Sequence, residues 1–132
     1  MKVYIAGPLA VKQDREFLHK IDDLCKKYNL TTFLPHRDVG LWKSSKDLNK
    51  IAMGDLNGFK NCKLLIANLN GFGSAGTAWE IGYACAKGIP VIGIKTDRKI
   101  EDSIEDLSAI LLGTTKVVMS LDELESEIKK LI

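Results

Sequence analysis

Short β-branched runs alternate with helix-periodic segments along the whole of this 132-residue chain, and few architectures accept that order. Five strands are predicted, at residues 2–6, 31–34, 63–68, 91–94 and 117–119. Gly7-Pro8 closes the first and Pro35 stops the second. Between the strands, apolar side chains recur at helical spacing. Phe17, Leu18, Ile21, Leu24, Cys25 and Tyr28 form one such stripe. Further helices are expected over residues 47–59, from the glycine-rich turn at 71–76 to Lys87, over 104–112 and over 121–132. Residues 36–46 read as a long polar loop with an exposed Trp42, the kind of segment that covers a site. Strict alternation implies a parallel sheet with helices on both faces, and right-handed crossovers leave few ways to order it. The expectation is one α/β domain over residues 1–132, a flavodoxin- or Rossmann-like three-layer sandwich with strand order 2-1-3-4-5.

Composition removes several function classes. A net charge of +2 is too small to point to a nucleic acid polymer or a membrane surface. No apolar run approaches the roughly 20 residues that a membrane helix needs. The first residues, Met1 to Gly7, carry one positive charge and a strand, so they do not read as a signal peptide. Cys25, Cys62 and Cys85 are odd in number and lack metal-ligand spacing. They read as reduced thiols, and the expected location is cytoplasmic.

In a sheet of this order, ligands bind beyond the carboxyl ends of the strands, at the point where the order reverses. Three loops are therefore expected to meet: Gly7-Pro8-Leu9, Pro35 to Asp38, and Asn70 to Gly76. Glycines at 71, 73 and 76 let backbone approach a ligand, and the helix that follows offers free N–H groups to an anion. About one turn into that helix stands Glu80, the one carboxylate in an otherwise apolar stretch. Two uses fit it equally by spacing. It could face the crevice as a nucleophile or acid–base group, or it could close a capping box with Thr77. Tyr4 fits core packing with a satisfied hydroxyl, and Asp55 fits a surface acid on the helix over 47–59. Arg37 is either a solvated charge or a contact to phosphate or base. Residues 71–76 match the letters G-x-G-x-x-G, but they follow the third strand, and no acid ends the next strand where a ribose would need it.

Four segments together resemble the nucleoside 2-deoxyribosyltransferase superfamily: Tyr4-Ile5-Ala6-Gly7-Pro8-Leu9, Phe33 to Asp38, Gly54-Asp55-Leu56, and Gly76-Thr77-Ala78-Trp79-Glu80-Ile81-Gly82-Tyr83-Ala84. The resemblance implies that Glu80 is the nucleophile that traps the sugar as a glycosyl ester. It likewise implies that Asp55 protonates the departing base and that Tyr4 orients Glu80. It implies no metal or organic cofactor. Transferases of this superfamily commonly carry an aspartate six residues before the nucleophile, where this chain has Ser74. They also carry an asparagine that reaches a neighbouring subunit's site, where this chain has Ser108. Both serines resemble the superfamily's 2′-deoxynucleoside 5′-monophosphate N-glycosidases. A hydroxyl in place of an acid removes a repulsion from a phosphate dianion and adds a donor.

The expected activity is thus cleavage of the N-glycosidic bond of a (2′-deoxy)nucleoside 5′-monophosphate. Gly7, Pro8, Arg37, Ser74, Gly76 and a partner's Ser108 are expected to bind the substrate. The expected assembly is a homodimer or higher homo-oligomer, and the only other partner expected is the small-molecule nucleoside or nucleotide. Base exchange between deoxynucleosides, or a non-catalytic nucleotide sensor, are the alternative uses of the same fold.

Overall fold

A computed structural model describes the chain from Met1 to Ile132. The strands are β1 (Lys2–Ala6), β2 (Thr31–Phe33), β3 (Cys62–Asn68), β4 (Val91–Ile94) and β5 (Lys116–Val118). They form one all-parallel sheet in the order β2-β1-β3-β4-β5, as the alternation predicts. Tyr4 lies beside Leu65, Ile5 beside Ile66 and Ala6 beside Ala67. The two edge strands, β2 and β5, are three residues each, which leaves little open edge.

Because side chains alternate along a strand, each central strand feeds two separate cores. Val3, Ile5, Leu64 and Ile66 face α1 (Lys12–Lys27) and α7 (Leu121–Lys130), with Leu18, Ile21, Leu124 and Ile128. Tyr4, Ala6, Leu65 and Ala67 point the other way, toward Phe59 of the turn after α3 (Leu48–Gly58) and toward Ile81 and Ala84 of α4 (Ala75–Ala86). Both faces are covered, so β1 and β3 read as unbroken apolar runs. The same alternation decides that Tyr4 faces α3 and α4.

Two expectations change. The 36–46 loop does not begin as loop: α2 (Pro35–Asp38) forms first, with proline at its start, where a missing N–H costs nothing. The Asp38 carboxylate accepts the Leu34 N–H at 2.9 Å and fastens that turn. A short 3-10 turn at Ser45–Asp47 follows, closed by a Ser44/Asp47 capping box. The expected helix over 104–112 is likewise two helices, α5 (Ile104–Leu107) and α6 (Ala109–Gly113). Ser108 breaks it with a φ of 75°, a conformation that a side chain adopts only at a cost. The break lets Leu107 stay buried in the core on the α4 side while the chain turns outward.

Two helical glycines separate packing from propensity. A Cβ at Gly58 would collide with the Phe33 ring, whereas at Gly82 it would meet nothing within 4 Å. Gly58→Ala is expected to lower the melting temperature, because overpacking of about 1–3 kcal/mol exceeds a propensity gain of about 1 kcal/mol. Gly82→Ala should raise it. Thermal unfolding of the two variants checks both signs.

Candidate active site

A cavity of about 380 Å³ opens beyond the carboxyl ends of β1, β2 and β3. Gly7 and Leu9 come from the loop after β1, and Pro35 from the start of α2. Ala52, Asp55 and Leu56 line it from α3, with Phe59 just beyond. Ser74, Gly76, Thr77, Trp79 and Glu80 line it from the beginning of α4. The three loops expected to meet do so.

The two uses of Glu80 are separated by where α4 begins. The helix starts at Ala75, and Ser74 is its N-cap, with its Oγ accepting the Thr77 N–H at 3.4 Å. A hydroxyl that accepts in this way keeps its own hydrogen free to donate. Glu80 therefore lies past the first turn and caps nothing. Its Oε2 instead accepts a hydrogen bond from the Tyr4 hydroxyl, across from the central strand. Tyr4 is fully buried, stacked on Phe59 at 3.9 Å and 9°, with Phe33 at 5.1 Å. A phenol clamped by two rings presents its hydroxyl at one point only.

Asp55 reaches the same cavity from α3, and its Oδ1 is buried without a hydrogen-bond partner. No lysine or arginine pairs with either carboxyl group. Burial pushes Asp55 up to about 6. Burial also pushes Glu80 up, to about 7; the Tyr4 hydrogen bond opposes that shift and the Asp55 charge adds to it. The Tyr4 phenol is raised far above its ordinary range by burial and then by Glu80, so it remains a donor. Between about pH 6 and pH 7 the carboxyl pair thus passes through a state with one proton and one negative charge, the proton drawn more to Glu80.

The remaining expected residues divide. Gly7 and Gly76 line the cavity for different reasons. A Cβ at Gly7 would press on Leu18 Cδ2 at 2.7 Å, so packing alone demands glycine there. At Gly76 a Cβ would find only Ser74 Oγ at 4.0 Å, so the space left open belongs to the cavity. Pro8 sits between the lining residues Gly7 and Leu9 without lining the cavity itself. Arg37 is also not part of the lining. Its guanidinium is consumed by Asp22 at 3.2 Å, Asp38 at 2.8 Å and the Thr32 carbonyl at 2.9 Å. It offsets the charge of the buried Asp22, which Lys26 also pairs. Ser108 is exposed at the α5–α6 break and is not among the residues lining this chain's own cavity.

Sequence reasoning gave no binding or catalytic role to Ala52, Leu56, Phe59 or Trp79, took Thr77 only as a candidate cap, and named Leu9 only as part of the first loop. Helical spacing held part of the signal: Ala52 and Phe59 flank Asp55 at i−3 and i+4, and Thr77 is i−3 from Glu80. Thr77 Oγ1 is buried without a partner on the cavity wall. Trp79 is 57% exposed and stacks on Tyr83 at 5.5 Å. Arg15, from α1, donates to the Leu9 carbonyl at 2.6 Å and holds that loop over the cavity, a contact no local pattern announces.

Fold and site together define a class: a parallel α/β enzyme with two carboxyl groups in its switch-point crevice. The chain belongs to the nucleoside 2-deoxyribosyltransferase family, whose model matches residues 3–114. The chain is accordingly an enzyme of that family. A 2-deoxyribosyltransferase from Bacillus psychrosaccharolyticus superposes with a TM-score of 0.80 at 18% identity, over 95% of this chain and 90% of that one. The Clostridium botulinum CMP N-glycosidase BcmB superposes with a TM-score of 0.60 at 19% identity, over the full length of both. None of the curated proteins matches the sequence. No helix is long and apolar enough to cross a membrane.

A raised carboxyl makes a stability prediction. Glu80 keeps its proton in the fold above the ordinary value of 4.5, where the unfolded chain has lost it. Folding stability contributed by this group therefore falls as pH rises from about 4.5 to about 7, and is level above that. Glu80→Gln removes the penalty. It is expected to be the more stable protein at pH 8, by up to about 3 kcal/mol, with the gap closing toward pH 5. Urea denaturation of both proteins at the two pH values measures the difference.

Proposed function

We propose that this protein cleaves the N-glycosidic bond of a nucleoside 5′-monophosphate, most readily a 2′-deoxynucleotide, through a covalent ester on Glu80. One observation carries the reading. Glu80 is a carboxylate held by a rigid buried phenol, without a cation to neutralise it, in one cavity with a second carboxyl whose buried Oδ1 has no hydrogen-bond partner.

In the first step a Glu80 oxygen attacks C1′ as the C1′–N bond breaks, and Asp55 gives its proton to the departing base. In the second, Asp55, now a carboxylate, takes a proton from water, which attacks C1′ and frees Glu80. The product is a sugar 5-phosphate with retained configuration. This requires the proton on Asp55 and the charge on Glu80. That is the reverse of the order in which the two groups titrate, so only a minor share of the singly protonated pair is competent; the Tyr4 hydroxyl enlarges that share, since it stabilises charge on Glu80 and has no counterpart at Asp55. The free Ser74 hydrogen and the open space at Gly76 suit a phosphate at the start of α4. BcmB, an N-glycosidase acting on CMP, supports a monophosphate substrate. On this reading the enzyme works in the cytoplasm as a homodimer or larger assembly, with Ser108 completing a neighbour's site. Full activity in a monomer by light scattering would count against that part.

Base exchange is the second reading, favoured by the higher TM-score to the deoxyribosyltransferase. A product assay separates the two: a deoxynucleotide or deoxynucleoside incubated with a foreign base yields either free sugar phosphate or a new nucleoside.

Two further outcomes test the mechanism. Glu80→Gln should abolish turnover while substrate still binds, and Asp55→Asn should cost about 10²–10⁴-fold in rate, the usual worth of a general acid. A sensor without chemistry would show no turnover to lose. The pH profile of kcat/KM should be bell-shaped, with limbs near 6 and 7. The acid limb appears because Glu80 must be charged, the basic limb because Asp55 must hold a proton. A flat profile from pH 5 to 8 would remove the pair from the mechanism.

A further inference from the structure

The loop that carries Ser74 into the cavity is not held by its own packing. Gly71 and Gly73 have φ of 87° and 102°, and Phe72 between them is 76% exposed. What fastens this loop comes from the segment just after β4. The Lys95 side chain is fully buried, and its three ammonium hydrogens have three acceptors. These are the Leu69 carbonyl at 2.9 Å, the Gly71 carbonyl at 3.1 Å and Asp97 Oδ1 at 2.9 Å. Asp97 Oδ2 accepts the Gly71 N–H at 2.8 Å. Asn70 is tied to Thr96 by its carbonyl oxygen at 2.7 Å and its amide nitrogen at 3.0 Å. Arg98 then spans two elements. One nitrogen donates to the Gly71 carbonyl at 2.6 Å and the other to Asp106 at 2.9 Å, while its guanidinium covers the Phe72 ring at 4.6 Å.

None of residues 95–98 lines the cavity. A buried ammonium is tolerated only when every donor is met, so Lys95 fixes two carbonyls to one geometry rather than merely filling space. Asp106 belongs to α5, which ends at Leu107 just before the Ser108 break, so Arg98 also sets the distance between the Ser74 loop and that helix.

We propose that Lys95 to Arg98 form a strap of positioning residues that determines specificity for the 5′-phosphate, by fixing where Ser74 and the first amides of α4 meet it. The inference rests on the monophosphate reading, because it takes phosphate as the group that Ser74 meets. Tyr4, Asp55 and Glu80 are held by β1, α3 and the body of α4, so loosening the strap leaves the bond-breaking groups in place.

The test uses Arg98→Ala, Arg98→Lys and Lys95→Met, on the 2′-deoxynucleoside 5′-monophosphates and the matching unphosphorylated deoxynucleosides. Arg98→Ala is expected to raise KM for the monophosphate about tenfold, the scale of one misplaced charge-assisted hydrogen bond. Its kcat should stay within about twofold, its KM for the nucleoside should be unchanged, and Arg98→Lys should recover most of the loss. Lys95→Met should show the same pattern more strongly if it folds. Hydrogen exchange at residues 69–77 should quicken in Arg98→Ala while the amides of β1 and β3 keep their protection. Equal losses on both substrates, a fall confined to kcat, or unaltered exchange would overturn the proposal. If the unmodified protein releases no base from any substrate, the glycosidase reading fails on its own. The strap is then decided by calorimetric binding of the same compounds. Arg98→Ala weakening the monophosphate alone supports it, and weakening both or neither overturns it.

Discussion

The contact between the Tyr4 hydroxyl and Glu80 joins the centre of the sheet to α4, and the rest of the crevice is arranged around it. It exists because β1 is buried on both faces and Tyr4 falls on the α3–α4 side of the alternation. Phe59 and Phe33 then remove the ring's freedom. A carboxylate anchored by a donor of this kind keeps one oxygen fixed and leaves the other without a protein partner. Preorganisation of that sort lowers the cost of reaching a transition state, since the group need not be immobilised as the reaction occurs.

Such a site is held against the fold's own preference. Two carboxyl groups sit in a partly buried cavity without a cation, and both titrate well above their ordinary values. Elsewhere the molecule treats buried charge differently: Asp22 is met by Lys26, Arg37 and Thr32, and Lys95 by three acceptors. Satisfied charges therefore hold the scaffold, and unsatisfied ones are confined to the crevice. That contrast is the usual mark of stability given up at a working site.

Glycines in and around the crevice serve three distinct ends. Gly7 is dictated by Leu18, Gly71 and Gly73 by backbone conformation, and Gly76 leaves open space on the cavity wall. The letter pattern across residues 71–76 hides this division, which explains why it mimics a dinucleotide fingerprint without its geometry.

The amino-acid order alone determined the sheet, its strand order and the edge where the cavity opens, because periodicity and crossover handedness are local rules with few global solutions. It also supplied Glu80, Asp55 and Tyr4 as a group, through their resemblance to a family pattern, and the structure gathers Glu80, Asp55 and the Tyr4 hydroxyl at one crevice. Only the tertiary structure removed the capping use of Glu80, since it starts the helix at Ala75 with Ser74, not Thr77, as the cap. It alone turned Arg37 inward to Asp22, split the 104–112 helix at Ser108, and brought Arg15 and the Lys95–Arg98 segment onto the crevice loops. These are contacts between side chains far apart in the chain, or turns whose cost is met by distant packing, and no periodicity records them.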